Sequence, residues 1–89
     1  MKNVQNGVMN TTERRKYMTR TQIRLDTMNS INKFVETMSH LDDNVWLEDG
    51  SGIRVSAKSL LGCIYSLEWT RIYCFCERDI NAYLIPWAI

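Results

Sequence analysis

The chain has 89 residues, 45% of them hydrophobic and 24% charged, with a net charge of +1, which is one domain's worth of ordinary globular composition and too little chain for two cores. No apolar run approaches the ~20 residues that span a bilayer, and Met1 to Asn10 holds no hydrophobic signal core, so the expected location is the cytoplasm. The near-neutral total conceals a basic start, since Lys2, Arg14, Arg15, Lys16, Arg20 and Arg24 face Glu13 alone up to residue 24; a solvated basic tail is the simplest expectation for it.

Residues 1–18 are polar, have no stable period and contain Asn6-Gly7. They are expected to be mobile unless docked on a partner, with at most a short helix capped by Thr11 or Thr12 and running to Lys16. The domain proper is expected over residues 19–89. It opens with "TRTQIRL", Thr19 to Leu25, whose alternation puts Thr21, Ile23 and Leu25 on one face and Arg20, Gln22 and Arg24 on the other, as in a half-exposed strand. In "TMNSINKFVETMSHL", Ile31, Phe34, Val35, Met38 and Leu41 recur at helical spacing. This is the clearest amphipathic helix in the chain, with Asn29 or Ser30 as its expected cap.

A second alternating run, "VWLED", points Val45 and Leu47 inward and Trp46 outward. After the turn "GSG" the chain returns through "IRVSA", with Ile53, Val55 and Ala57 expected inward. The glycines of that turn permit the positive φ it needs. Lys58 and Ser59 then introduce "LLGCIYSL", a short, nearly all-apolar helix that must lie flat on the sheet. "RIYCFCE" is a fourth strand with Ile72, Cys74 and Cys76 on one face and Tyr73 and Phe75 on the other. Asp79 is the expected cap of a last helix carrying Ile80, Tyr83, Leu84 and Trp87, which Pro86 ends or kinks.

Strand, helix, strand, strand, short helix, strand, helix is the order of an open-faced α+β sandwich, one sheet covered on one side. The three cysteines, Cys63, Cys74 and Cys76, cannot all pair within one chain, and their spacing is not a zinc signature. A zinc site recruiting His40 is the weaker alternative to buried thiols acting as small hydrophobes. Asp42, Asp43, Glu48 and Asp49 read as a solvated acidic rim. Trp46, Tyr73 and Phe75, with Arg54 and Arg71 nearby, fall on the uncovered sheet face; packing against a second copy is expected there ahead of stacking on nucleic acid.

The run "VSAKSLLGCIYSL", preceded by "KFVETMSHLDDNVWLED", resembles the histidine-containing phosphocarrier proteins (HPr) of the bacterial sugar phosphotransferase system. The likeness covers about Gln22 to Ala88, and its most specific part is "AKSLLG", Ala57 to Gly62. The resemblance implies four antiparallel strands with three helices on one face. It also implies transfer of a phosphoryl group from a phosphoenolpyruvate-dependent enzyme, through a histidine at the start of the first helix, to sugar permease components. Here "RLDTMNSINKF" occupies that place: Thr27 stands at the histidine position, Asn29 at the arginine position and Ser30 at the proline position. The single histidine, His40, lies 13 residues further on, roughly 20 Å along the helix at about 1.5 Å per residue.

Ser59 matches the serine that a dedicated kinase phosphorylates in many relatives, so it is both an expected helix cap and a candidate regulatory phosphorylation site. The family also docks its partners through the first and the short helix, which makes Met28, Leu61 and Tyr65 the candidate partner-binding residues. The expectation is thus a degenerate phosphocarrier-like domain without catalytic turnover or cofactor, acting as a regulatory or protein-binding module. Its partners would be phosphotransferase components or a transcriptional regulator, and the apolar end "IPWAI" predicts self-association. Two alternatives stand beside it: a working carrier that uses Thr27, Ser59 or His40, and a small nucleic-acid-binding module.

Overall fold

The computed structural model describes residues 18–89. Of the basic tail expected over residues 1–18, all but residue 18, including the Thr11- or Thr12-capped turn, lies outside the described residues. Four strands, β1 (Thr19–Ile23), β2 (Val45–Glu48), β3 (Arg54–Ser56) and β4 (Ile72–Cys76), form one antiparallel sheet in the order β1-β4-β2-β3. Two α-helices, α1 (Met28–Ser39) and α2 (Leu60–Tyr65), connect β1 to β2 and β3 to β4. The fold is therefore α+β, an open sheet with helices on one side, as the order of elements predicted.

Alternation in the strands sets the core. Ile23, Val45, Leu47, Ile72, Cys74 and Cys76 are buried on the face that Ile31, Phe34 and Met38 of α1 cover. The β3 edge departs from expectation, because the strand is only three residues long and Ile53 is 47% exposed. Ile53 is held in the hairpin loop instead: Asp49 Oδ1 accepts the backbone N–H groups of Ser51 (2.8 Å) and Ile53 (3.1 Å). Gly50 and Gly52 carry φ of +92° and +116° there, so these two positions favour glycine. Glycine at 62 has a different cause: α2 passes so close over β3 that a Cβ on it would sit 3.2 Å from Val55 Cβ.

The largest correction concerns the third helix. In its place the chain makes two 3₁₀ turns, Asn81–Tyr83 and Ile85–Trp87. Pro86 has no N–H to continue an α-helix, and its ring would crowd the carbonyl one turn back. The expected apolar face nonetheless packs, since Ile80, Leu84 and Trp87 are buried while Tyr83 is exposed. Trp87 meets Phe34 edge-to-face at 5.2 Å, its carbonyl accepts the Arg24 N–H at 2.8 Å, and Ala88 bridges to Ile23. Of "IPWAI", Trp87 is thus a core residue, and only Ile85 and Ile89 keep large apolar surfaces in water.

Two of the acidic residues expected as a solvated rim are structural. Asp43 pairs with Arg78 (2.8 Å), whose hydrogen bond holds the Asp43 carboxyl below the ordinary 3.8; the Ser51 amide does the same for Asp49. A carboxyl whose pKa is lower folded than unfolded stabilises fully above the unfolded value and loses that contribution as pH falls through the depressed one. Thermal denaturation from about pH 6 down to about pH 2 is expected to show the midpoint falling mainly below about pH 4. Asp49→Asn is expected to lower the midpoint at neutral pH and flatten that acid limb; an unchanged limb would remove Asp49 from the account.

Candidate functional site

The front of α1 is where the resemblance looks for a phosphoryl acceptor. Thr27 has an extended backbone (φ −137°, ψ 158°), and its Oγ1 accepts the Ser30 N–H at 3.0 Å, making it the N-cap. The cap is therefore Thr27, with Asn29 and Ser30 inside the first turn, because the helix starts one residue before Asn29. Thr27 Oγ1 also donates to Ser30 Oγ at 3.1 Å, so the hydroxyl proton and a lone pair are both engaged locally. His40 closes the opposite end of α1 as its C-cap, Nδ1 donating to the Glu36 carbonyl at 2.7 Å. The helix separates the imidazole from the capping hydroxyl, and His40 has no route to act as a base on Thr27.

The front of α2 is built in the same way. Ser59 is extended (φ −99°, ψ 117°), and its Oγ accepts the Gly62 N–H at 3.0 Å, the capping role expected of it. Lys58 anchors the approach by donating from Nζ to the Leu41 carbonyl, which ties this turn to the end of α1.

Beyond the cap, α2 and the 3₁₀ turn that follows it (Ser66–Glu68) present an apolar stripe. Leu61 is 77% exposed and Tyr65 57%, one helical turn apart, and Leu60 and Leu67 are exposed beside them. Of α2, Cys63 is buried and Ile64 packs partly buried against the core, which leaves Leu60, Leu61 and Tyr65 outside it. From Ser59 to Leu67 there is no charged residue. Trp69 extends the stripe, edge-to-face with Tyr65 at 6.3 Å. Met28, at the front of α1, is 47% exposed. All three candidate partner-binding residues, Met28, Leu61 and Tyr65, are therefore at the surface.

The uncovered sheet face carries Trp46, Tyr73 and Phe75, as the alternation predicted, all half-buried. Their cover comes from the chain itself. Arg20 lies 4.5 Å over Tyr73, and Arg54 lies 5.5 Å over Trp46 and 5.0 Å over Phe75. Glu48 sits between the two guanidiniums, paired with Arg54 across the β2–β3 ladder and 3.7 Å from Arg20 Nε. A base stacking on these rings would have to displace arginines already held by cation–π attraction and a carboxylate. Glu48 was readable as a solvated rim residue only because the strand order was unknown; β4 pairing with both β1 and β2 is what brings Arg20 to it.

The three thiols are free and buried in the core. Cys63 and Cys74 are pushed up to about 12, Cys63 by burial and Cys74 by burial and then its neighbours Cys76 and Cys63. Among the described residues, no three His, Cys, Asp or Glu side chains group as a metal would require, and no helix is long and apolar enough to cross a membrane. A shallow groove of ≈ 990 Å³ runs along the flank of α1 to the C-terminal turns, lined by Asn29, Lys33, Glu36, His40 and Tyr83 among others. Its charges are mixed, with Lys33 and Glu36 both on the α1 flank. No family profile, curated protein or solved structure matches the chain.

Proposed function

We propose that this chain is a protein-binding or regulatory domain of the phosphocarrier-like type in which phosphoryl transfer has been lost. The observation that carries the reading is the identity and state of the group at the front of α1: a threonine hydroxyl spent on capping, with no imidazole within reach. A carrier needs a nucleophile that accepts and releases phosphoryl readily, and a neutral histidine nitrogen at a helix N-terminus meets that need. Thr27 would make a far less labile ester, and His40 stands at the wrong end of the helix. Four antiparallel strands with a helix after β1 and a short helix after β3 support the likeness. The C-terminal segment, two 3₁₀ turns in place of an α-helix, is a point at which this chain departs from it.

The binding surface of this reading is the apolar stripe of Leu60, Leu61, Tyr65 and Leu67, with Met28 as its outlier. A charge-free exposed stripe of this kind is the chemistry of a docking patch, and phosphotransferase components or a transcriptional regulator are the partner classes that the resemblance suggests. Ser59, at the edge of the stripe, is the residue through which a kinase would add charge to it. A cell extract passed over the immobilised protein is expected to yield a partner that a Leu61→Ser/Tyr65→Ser variant does not retain. That variant should remain folded, its melting temperature lower than the parent's by no more than about 8 °C, since Leu61 is mostly in water and Tyr65 gives up chiefly its contact with Trp69. Equal retention by the two proteins would remove the stripe from the proposal.

A further inference from the structure

Most basic side chains of the described region have a partner there: Arg20 and Arg54 meet Glu48, Arg78 meets Asp43, and Lys58 meets the Leu41 carbonyl. Arg24 and Arg71 meet no carboxylate among the described residues. The β1–β4 ladder ends at the pair Ile23–Ile72, and Arg24 and Arg71 are the residues that adjoin that pair just outside the two strands. Both line one pocket of ≈ 260 Å³ at the end of the sheet, together with the polar side chains of Gln22 and Thr70. Two like charges brought to one pocket repel, and a guanidinium cannot shed its charge to relieve the repulsion. An anion between the two would convert it into a pair of charge-assisted hydrogen bonds.

The same pocket is walled by Leu67 and Trp69, which belong to the apolar stripe. We propose that Arg24 and Arg71, with Gln22 and Thr70, form an acceptor site for a carboxylate of an acidic segment on the protein partner that docks on the stripe. The inference rests on the protein-binding reading above and adds the chemistry of the partner: apolar side chains followed by an aspartate or glutamate. A peptide fits better than a nucleic-acid backbone. Of the eleven Lys and Arg, Lys2, Arg14, Arg15 and Lys16 precede the described region and leave seven; of the ten Asp and Glu, Glu13 precedes it and leaves nine. A net negative region with two adjoining cations that have no carboxylate partner among the described residues is suited to one or two carboxylates, not to a phosphate track.

The test follows the arginine Nε–H resonances of the 89-residue chain at low salt while acetylated tetraglutamate amide is added, with tetraglutamine amide, inorganic phosphate and a short oligothymidylate as separate arms. Tetraglutamate should shift Arg24 and Arg71 saturably and leave Arg20, Arg54 and Arg78 in place. Arg24→Gln or Arg71→Gln should each weaken that binding about tenfold. Without peptide, each of these variants should melt at the same temperature as the parent or about 1–2 °C higher, because the repulsion is relieved; a structural role predicts a fall. The Leu61→Ser/Tyr65→Ser variant should bind tetraglutamate undiminished, so failure of the stripe and failure of this site are separable. Shifts spread evenly over all arginines, equal binding of tetraglutamine, response to phosphate alone, or tighter binding of the oligothymidylate would each overturn the proposal.

Discussion

Phe34→Ala is expected to cost the domain about 3–5 kcal/mol, the range for emptying a fully packed aromatic site. Phe34 sits at the middle of the buried face of α1 with no surface in water, and its ring is the partner on which Trp87 closes. The loss is not confined to one cavity. Trp87 anchors the two 3₁₀ turns that stand where an α-helix was expected, and its carbonyl and the neighbouring Ala88 tie that segment back to the end of β1. With total stabilities of small domains near 5–15 kcal/mol, the variant should be marginal. Urea denaturation measures it directly. A change below about 1 kcal/mol would mean that the C-terminal turns are not held through this contact.

The second large effect is at Thr19. This side chain is fully buried; its Oγ1 donates to the Arg78 carbonyl at 3.0 Å and accepts the Ile80 N–H at 2.7 Å, across some sixty residues of chain. Thr19→Val keeps the shape and removes both bonds, leaving the buried Ile80 N–H and the partly buried Arg78 carbonyl without this partner, at about 2–3 kcal/mol. Thr19→Ser keeps both bonds and loses one methyl, at about 1 kcal/mol. The comparison isolates the hydrogen bonds from the volume. If the two variants prove equally stable, the turn after β4 is not clamped by this hydroxyl.

What the sequence could reveal followed the range of the physics involved. Alternation in "TRTQIRL", "VWLED" and "RIYCFCE", and the 3–4 spacing of Ile31, Phe34 and Met38, are local signals of which face is buried, and the structure bears them out. The helix caps were half legible: Ser59 begins its helix in the expected way, whereas Thr27 was hidden because Asn29 and Ser30 are equally good caps and only the start of α1 decides among them. The C-terminal segment misled because its apolar spacing of about four fits an α-helix and a pair of 3₁₀ turns alike, with Pro86 tipping the choice. Ile53 misled because Asp49 pulls its amide into the loop.

The surface features that bear on function depend on strand order, which no local pattern encodes. Arg20, Glu48 and Arg54 lie far apart in the chain and become a clasp over Tyr73, Trp46 and Phe75 only when β4 inserts between β1 and β2. The same insertion brings Arg24 and Arg71 to one pocket. By contrast, the candidate docking residues were readable in advance as apolar positions in excess of what a short helix can bury, and Leu61 and Tyr65 are indeed in water.

The central claim is that α1 offers a capping hydroxyl where a phosphoryl relay requires an imidazole. Its most direct measurement is the intact mass of the purified protein after incubation with phosphoenolpyruvate and the general phosphotransferase enzyme, alongside a competent carrier as positive control. The account predicts an unchanged mass while the control gains a phosphoryl group. Appearance of an acid-labile, base-stable phosphate on this chain would contradict it.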